Sequence, residues 1–166
     1  MKHAIDFSER IPGTYWHAAA ILKLESDSII RAPLEELRLE IGGGAIVRPV
    51  EAELGPMRSE AASLRVALQW TAAMHPHLFP VMHGELRISD IGGSQIELRL
   101  VGAYRSPLGP VGAVGDALAG RRVAEKTLRN FLTEVACRLR HELVEHTGGW
   151  PSMDAREGHQ KLRRTR

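Results

Sequence analysis

The sequence predicts an α+β domain in which one curved antiparallel sheet packs its apolar face against a long C-terminal helix. Between residues 46 and 104, apolar and polar side chains alternate in several segments, which is the period of half-buried strands. From residue 116 to residue 146, apolar residues recur in steps of three and four, which is the period of an amphipathic helix. Strands and helices do not alternate after residue 45, and this order favours an antiparallel sheet.

The composition is that of one globular domain. The chain has 166 residues, of which 43% are hydrophobic and 25% charged, and both fractions are close to the averages of folded proteins. No apolar run reaches about 18 residues, so no membrane span is predicted, and the first ten residues lack the apolar core of a secretory signal. The single cysteine, Cys137, excludes an intramolecular disulfide and a cysteine-rich zinc site. We therefore expect a cytoplasmic protein.

The positive charge is concentrated at the C-terminus. The net charge is +2, but residues 154–166 hold five basic and two acidic side chains, a charge of +3, which leaves −1 for residues 1–153. A nucleic-acid-binding domain would carry its basic patch on the fold, so no nucleic acid partner is expected. Residues 151–166 are predicted to form a flexible basic tail, and a weak contact of that tail with nucleic acid or anionic lipid is the alternative.

The first third of the chain predicts three elements. Residues 1–14 are mixed in character and end in Ile-Pro-Gly-Thr, which indicates a lead-in segment before the domain proper. Tyr15 to Glu25 alternates in polarity and predicts a half-buried strand, with the apolar side formed by Ala18, Ala20, Leu22 and Leu24. Pro33 to Leu39 predicts a short helix that ends at the glycines 42–44, and a strand over residues 37–41 is the alternative.

The middle of the chain predicts further strands. Ile46 to Leu54 alternates, and Pro49 within it indicates an edge strand or a bulge. Leu64 to Trp70 has the most regular alternation in the chain. Two more strands, Val81 to Ser89 and Gln95 to Tyr104, are joined by Asp-Ile-Gly-Gly-Ser, which predicts a β-hairpin.

The last predicted element is a helix from about residue 116 to residue 146. Its apolar stripe consists of Ala124, Leu128, Phe131, Leu132, Val135, Leu139 and Leu143. Two glycines and Pro151 follow and predict its end. With the strands before it, this helix completes a single predicted domain over residues 15–150.

This order of elements resembles the helix-grip fold of the START-domain and birch-pollen-allergen-like superfamily (SRPBCC). The most specific segments read LFPVMHG over 78–84, GAYRSPLGPVG over 102–112 and RVAEKTL over 122–128. They are similar to largely uncharacterised bacterial members, in which the last strand ends in Gly-x-Tyr and a Pro-Leu-Gly turn leads into the long helix. The chain departs from the superfamily in one respect, because the two canopy helices after the first strand are expected to be short or missing.

The resemblance implies a scaffold whose curved sheet and terminal helix enclose a hydrophobic pocket. Members of the superfamily bind lipids, hormones or polyketides, and a minority use the cavity for cyclase or dehydratase chemistry. The fold alone does not choose between these functions. Missing canopy helices would favour an interaction protein with a filled core, or a homodimer in which the second copy covers the open end.

The inner face combines aliphatic side chains with few polar groups, as small-molecule pockets do. We therefore predict a small hydrophobic molecule as the partner, with no cofactor and no metal. Packing without a ligand is the alternative for each aromatic residue. The predicted ligand-binding residues are Trp70, Phe79, Leu86, Leu98, Leu100, Tyr104, Leu128, Phe131, Leu132 and Val135.

No set of catalytic residues stands out. His75, His77 and His83 form a cluster, but the prolines at 76 and 80 indicate a loop rather than a metal-binding strand. A cyclase- or dehydratase-type enzyme would use His83 or Tyr104 as its acid or base. An interaction protein whose core is filled by its own side chains is a third hypothesis.

The remaining candidates favour structural roles. Four charged residues of the hairpin have the parity opposite to the apolar face and predict solvent-side ion pairs: Glu85, Arg87, Glu97 and Arg99. Cys137 is predicted to be a half-buried thiol without catalytic partners. The glycines at 109, 112 and 115 lack the lysine and the βαβ context of a phosphate-binding loop.

Overall fold

A computed structural model describes residues 2–41, 44–47, 50–72, 81–105 and 117–149. In these ranges the N-terminal part comprises strand β1 (Lys2–Pro12), helix α1 (Tyr15–Leu24), a π-helical turn (Asp27–Arg31) and helix α2 (Ala32–Glu35). The strands that follow are β2 (Arg38–Ile41), β3 (Gly44–Val47), β4 (Val50–Glu60), β5 (Ser63–Ala72), β6 (Val81–Gly92) and β7 (Gln95–Arg105). Helix α3 (Ala117–Gly149) is the last described element.

Five of the strands form one curved antiparallel sheet. Their order is β1-β7-β6-β5-β4, and β2 and β3 form a separate two-stranded sheet. The predicted α+β class, with a curved antiparallel sheet gripping a long C-terminal helix, is therefore confirmed. Side chains alternate between a concave face, which is buried, and an outer face, which carries the charged residues.

The predicted hairpin is confirmed as β6 and β7. Leu86 pairs with Leu100 and Ile88 with Leu98, so the apolar residues of both strands share the concave face. The backbone at the turn is left-handed, with φ of 81° at Gly92, 63° at Gly93 and 55° at Ser94. Glycine adopts this conformation without steric cost, which explains why the Gly-Gly pair predicts the turn.

The long helix is confirmed as α3, which covers the concave face. Its buried stripe consists of Ala124, Leu128, Phe131, Leu132, Val135, Ala136, Leu139 and Leu143. On one flank α3 is fixed to β1, because the Arg129 guanidinium lies 4.2 Å above the Phe7 ring and Arg140 pairs with Glu9 at 3.0 Å. Among the described helices, none has a stretch long and apolar enough to cross a bilayer.

The prediction that residues 1–14 form a lead-in segment outside the domain is wrong. Residues 2–12 form β1, which pairs with β7 along its whole length from Lys2 with Arg105 to Pro12 with Gln95. Ile5 and Ile11 are buried in the core. The N-terminus is therefore an edge strand of the sheet, and the domain includes it.

The prediction of a strand over Tyr15 to Glu25 is also wrong, because Tyr15–Leu24 is helix α1. Its buried side chains have helical spacing and are Tyr15, Ala18, Ala19, Ile21 and Leu22. Leu24, which the strand interpretation placed on the apolar side, is 82% exposed. The alanines and leucines of this segment happen to fall on alternate positions, but the segment is a helix and the alternation does not reflect a strand.

The canopy that we expected to be short or missing is present, and its second helix, α2, is short, with four residues. Helix α1, the π-helical turn and α2 lie between β1 and β2, and the turn and α2 bury Ile29, Ile30 and Leu34. Arg138 of α3 ties the canopy down by donating a hydrogen bond to the Ser28 carbonyl at 2.9 Å.

The two alternatives for residues 33–41 each hold for part of the segment, since α2 ends at Glu35 and β2 begins at Arg38. The strand predicted from Ile46 to Leu54 is divided between β3 and β4, and Pro49 lies outside the described residues. The bulge that the structure does describe is further along β4, where the pairing register with β5 shifts between Leu54 and Met57.

Candidate functional site

One row of side chains crosses the concave face opposite the N-terminal half of α3. The strand register places His3 beside Tyr104, Tyr104 beside Met82 and Met82 beside Trp70, one residue from each of β1, β7, β6 and β5. We call these four residues the Tyr104 row. Directly paired residues point to the same face, so the four side chains lie together under the helix.

Helix α3 contacts the Tyr104 row through aromatic packing. The rings of Trp70 and Phe131 meet edge to face, with centroids 5.5 Å apart. Both rings are buried, at 2% exposure each. At the other end of the row, His3 stacks on Tyr104 with centroids 5.2 Å apart. These contacts fix the row in place without a ligand.

The next row of the sheet contains a hollow. Gly84 pairs with Gly102, so two neighbouring strands present no side chain to the concave face at this point. A β-carbon on Gly84 would lie 2.5 Å from the Met82 Cε, which shows that the methionine side chain fills part of the hollow. Because methionine is flexible and adapts to irregular spaces, the Met82 side chain can change rotamer and leave the hollow.

The Tyr104 hydroxyl is the unusual group of the row. Tyr104 is 1% exposed, and within the described part of the chain its hydroxyl has no hydrogen-bond partner. Burial raises the pKa of this phenol, Glu125 raises it further and Arg121 opposes the shift. Glu125 and Arg121, which pair at 2.8 Å, belong to the first turns of α3. The phenol is therefore a neutral donor at physiological pH, held in a largely apolar setting.

The described spaces between the sheet, the canopy and α3 differ widely in size. One void of about 10 Å³ lies under the canopy. A larger space of about 210 Å³ borders the Tyr104 row and is lined by Val81, His83, Ala103, Tyr104 and Arg105. Two others lie beside the canopy. One is a cleft of about 310 Å³ between α2 and α3, which reaches Phe131 and is lined by Pro33, Glu36, Leu37, Thr127, Asn130, Phe131 and Glu134. The other, of about 440 Å³, lies between the canopy and the sheet edge.

The predicted ligand-binding residues take their expected places in the core. The nine of them that the structure describes are all buried: Trp70, Leu86, Leu98, Leu100, Tyr104, Leu128, Phe131, Leu132 and Val135. Phe79 lies outside the described residues. Their binding role stays a prediction, because direct contacts such as the one between Trp70 and Phe131 now occupy the space between sheet and helix.

Sequence reasoning missed half of the site. His3 was assigned to a lead-in segment, and Met82, Gly84 and Gly102 were named only within the segments that carry the family resemblance, without a role in the site. The alternation of Ile5, Phe7 and Ile11 with polar residues was the signal that could have identified β1 and hence the position of His3. The glycine pair gave no comparable signal, because its meaning depends on the pairing of two strands.

The alternative catalytic candidates do not converge on the concave face. His83 is exposed on the outer face of β6, so the version of the enzyme hypothesis that uses it is wrong. His75, His77 and the glycines 109–115 lie outside the described residues. Cys137 is exposed on α3, so the prediction of a half-buried thiol is wrong.

The charged residues of the hairpin lie on the outer face as predicted. Arg87 pairs with Glu85 within β6 at 2.8 Å. Arg99 pairs with Asp6 of β1 at 2.7 Å, so its partner comes from the strand that we had not predicted. These ion pairs are solvent-exposed or half-buried and face away from the Tyr104 row.

Side chains that could hold a metal ion occur in the C-terminal half of α3. Glu25, Glu142 and His146 form one group, and His141 and Glu145 form a second group with Glu142, with ligand atoms within 4.8 Å of one another in each. His146 Nδ1 lies 3.0 Å from the backbone carbonyl of Glu142. Both groups are more than two helical turns from the residues of α3 that face the Tyr104 row.

No protein-family model and no curated protein sequence matches this chain. Solved structures do match its fold. The Zhui aromatase/cyclase from Streptomyces sp. R1128 matches with a TM-score of 0.50 and 15% identity, over 90% of this chain and 100% of that one. A norcoclaurine synthase point mutant from Thalictrum flavum, in complex with a transition-state analogue, matches with a TM-score of 0.53 and 12% identity, over 89% and 97%.

A third match, Ara h 8.0201, has a TM-score of 0.51 and 7% identity, over 84% of this chain and 98% of that one. At such identities the likeness concerns the fold alone. The chain therefore shares the helix-grip fold of these proteins, and the fold implied by the resemblance in the sequence is confirmed.

Proposed function

We propose that the protein binds a small, mainly apolar molecule that carries one hydrogen-bond acceptor, between the Tyr104 row and the N-terminal half of α3. The observation that carries this proposal is the buried Tyr104 hydroxyl, which lacks a partner among the described residues. Leaving such a group unsatisfied costs about 1–3 kcal/mol. A ligand oxygen that accepts its hydrogen bond would recover this free energy.

Room for the ligand would come from Met82 and the glycine pair. If the Met82 side chain turns out of the hollow, a flat molecule can lie over Gly84 and Gly102 with one edge at the Tyr104 hydroxyl. The cleft between α2 and α3 is the route, because Phe131 lies at its base and contacts Trp70. Ligand binding would then replace protein-to-protein contacts rather than fill an empty cavity.

Two other functions remain as alternatives. The named catalysts among the structural matches, an aromatase/cyclase and a norcoclaurine synthase, make a cyclase- or dehydratase-type enzyme the second candidate, in which the neutral Tyr104 phenol would be the proton donor. The small void favours the third candidate, an interaction protein with a filled core. The cytoplasmic location and a homodimer also stay predictions.

The test compares two aromatic probes of similar shape, 2-acetylnaphthalene and 2-ethylnaphthalene, by isothermal titration calorimetry. The ketone accepts a hydrogen bond and the hydrocarbon does not. We expect the wild-type protein to bind the ketone roughly five- to tenfold more tightly, which is the size of one net hydrogen bond. Tyr104→Phe should abolish this preference.

Tyr15→Phe is the matched control, because Tyr15 is the other tyrosine of the chain and is also buried. It should keep the preference for the ketone. Equal affinity of the wild-type protein for both probes, or no binding of either, would contradict the proposal. Native mass spectrometry of the purified protein adds a second readout, since a bound apolar molecule should be released on denaturation.

A further inference from the structure

The larger of the two spaces beside the canopy, which we call the canopy groove, lies between the canopy and the sheet edge formed by β4 and β5. It has a volume of about 440 Å³ and is lined by Lys23, Ser26, Arg31, Leu54, Gly55, Met57 and Val66. This volume is within the range of about 300–1,000 Å³ that is typical of ligand pockets. None of its lining residues belongs to the Tyr104 row.

The floor of the canopy groove is apolar because of the bulge in β4. Leu54 pairs with Leu68 and Met57 with Val66, so the two residues between them on β4 face one residue on β5. A bulge of this kind bends the strand and re-aims its side chains. As a result Leu54 and Met57 both turn toward the canopy, and Val66 lies buried beneath them.

The floor also separates the groove from the void under the canopy. Met57 and Val66 line both spaces, and the void of about 10 Å³ lies behind them among Leu22, Ile30, Leu64, Leu86 and Ile88. Met57 is partly buried and flexible. A rotation of its side chain would let an apolar chain extend from the groove toward the interior.

The rim of the canopy groove is basic. Lys23 has no ion-pair partner among the described residues, and Arg31 uses its Nε for Asp27, at 2.8 Å. The Ser26 hydroxyl does not cap the π-helical turn that follows it. The described lining includes no carboxylate. The α2–α3 cleft has the opposite character, with Glu36 and Glu134 and no cation in its described lining.

A cationic rim above an apolar floor is complementary to an anionic amphiphile. We propose that the canopy groove binds one long-chain carboxylate in monomeric form, with the carboxylate at Lys23 and Ser26 and the alkyl chain along Leu54, Met57 and Val66. This site is separate from the one in the proposed function, and neither depends on the other. Lysine acts here as a point charge for the carboxylate, and the buried chain supplies the hydrophobic free energy.

The experiment compares three ten-carbon probes in amide-resolved NMR titrations of the full chain: decanoate, 1-decanol and decyltrimethylammonium. We expect decanoate to bind most tightly and to shift the amides of Ser26 and Gly55. Lys23→Glu should weaken decanoate binding roughly three- to tenfold, since it removes an attraction and adds a repulsion at an exposed site. Lys126→Glu, an exposed lysine of α3 outside the groove, is the matched control and should have no effect.

The length of the alkyl chain tests the floor. Affinity should rise from octanoate to decanoate in the wild-type protein, and Met57→Ala should extend this rise to dodecanoate by opening the void. Decanoate also carries an acceptor for the Tyr104 hydroxyl, so the readout is restricted to the groove: Tyr104→Phe should leave the decanoate-induced shifts of Ser26 and Gly55 unchanged. Failure here is therefore distinguishable from failure of the proposed function. The groove proposal is overturned by equal affinity for decyltrimethylammonium, by an unchanged affinity in Lys23→Glu, or by shifts confined to the α2–α3 cleft.

Discussion

The two ends of the concave face are packed with different types of side chain. Toward the β6–β7 turn, Leu64, Ile88 and Leu98 form an aliphatic end, and each is almost completely buried. At the opposite end, the Tyr104 row combines aromatic rings, a methionine and an unpartnered hydroxyl, beside two glycines. Close aliphatic packing is sufficient for stability. Stability therefore does not explain why the Tyr104 row contains polar and flexible groups, whereas the proposed binding of a ligand does.

The largest effect is expected at the aliphatic end, for Leu98→Ala. Leu98 is 0% exposed in the middle of β7, so the variant loses transfer free energy and leaves a cavity. We expect the free energy of unfolding to fall by about 2–5 kcal/mol in urea denaturation. Val101→Ala, on the outer face of the same strand, should cost much less. A similar cost at both positions would erase the distinction between the faces.

A smaller effect is expected at the hollow, for Gly102→Ala. The added β-carbon would lie against the His83 carbonyl and the Gly84 Cα, and backbone atoms cannot move away as a side chain can. We expect a loss of about 1–3 kcal/mol in the free energy of unfolding. Ala103→Ser, one residue along β7 but on the other face, should stay within about 0.5 kcal/mol of the wild type. Tolerance of the alanine at residue 102 would mean that the hollow is not closely packed.

The smallest effect is expected for Tyr104→Phe, and it depends on pH. At pH 7 the free energy of unfolding should be unchanged or higher by up to about 1 kcal/mol, because the variant removes an unsatisfied hydroxyl. Burial raises the pKa of Tyr104 in the folded state, so the native protein holds this proton more tightly than the unfolded chain does. The resulting stability is complete below the ordinary tyrosine pKa of about 10 and is lost as the pH rises further.

Thermal melts from pH 8 to pH 11 therefore provide the measurement. The wild-type melting temperature should fall more steeply above pH 10 than that of Tyr104→Phe. Parallel curves for the two proteins, or a clear loss of stability in Tyr104→Phe at pH 7, would show that the hydroxyl already has a partner. The Tyr104 row would then contain no unsatisfied polar group, and in this respect it would not differ from the aliphatic end.

The parts of the fold that the sequence predicted are those encoded within short segments. The hairpin could be inferred because the alternation of Leu86 and Ile88 continues, after a glycine turn, in Leu98 and Leu100. The stripe of α3 could be inferred because it repeats over many turns, so a few exceptions do not hide its period. In both cases local patterning and tertiary packing agree.

The errors occurred where a short segment satisfied two periods. Helix α1 has ten residues, and Ala18 and Leu22 fit a strand as well as a helix. The burial of Ala19 and Ile21 and the exposure of Leu24 distinguish the two. Missing α1 also removed the canopy and thereby both surface clefts from the sequence-based picture. The Tyr104 hydroxyl and the glycine hollow were out of reach for another reason, since they depend on neighbours from three or four strands.

The pairing of β1 with β7 sets the order in which this molecule can be completed. Asp6 and Arg99, whose side chains are hydrogen-bonded across these strands, are 93 positions apart in sequence. The Phe7 ring contacts Arg129, which lies still later in the chain. During synthesis the N-terminal segment emerges long before either partner exists. Contacts between such distant residues slow folding. In the nascent chain, the edge of the sheet formed by β1 and β7 can therefore pair only after β7 has been synthesised.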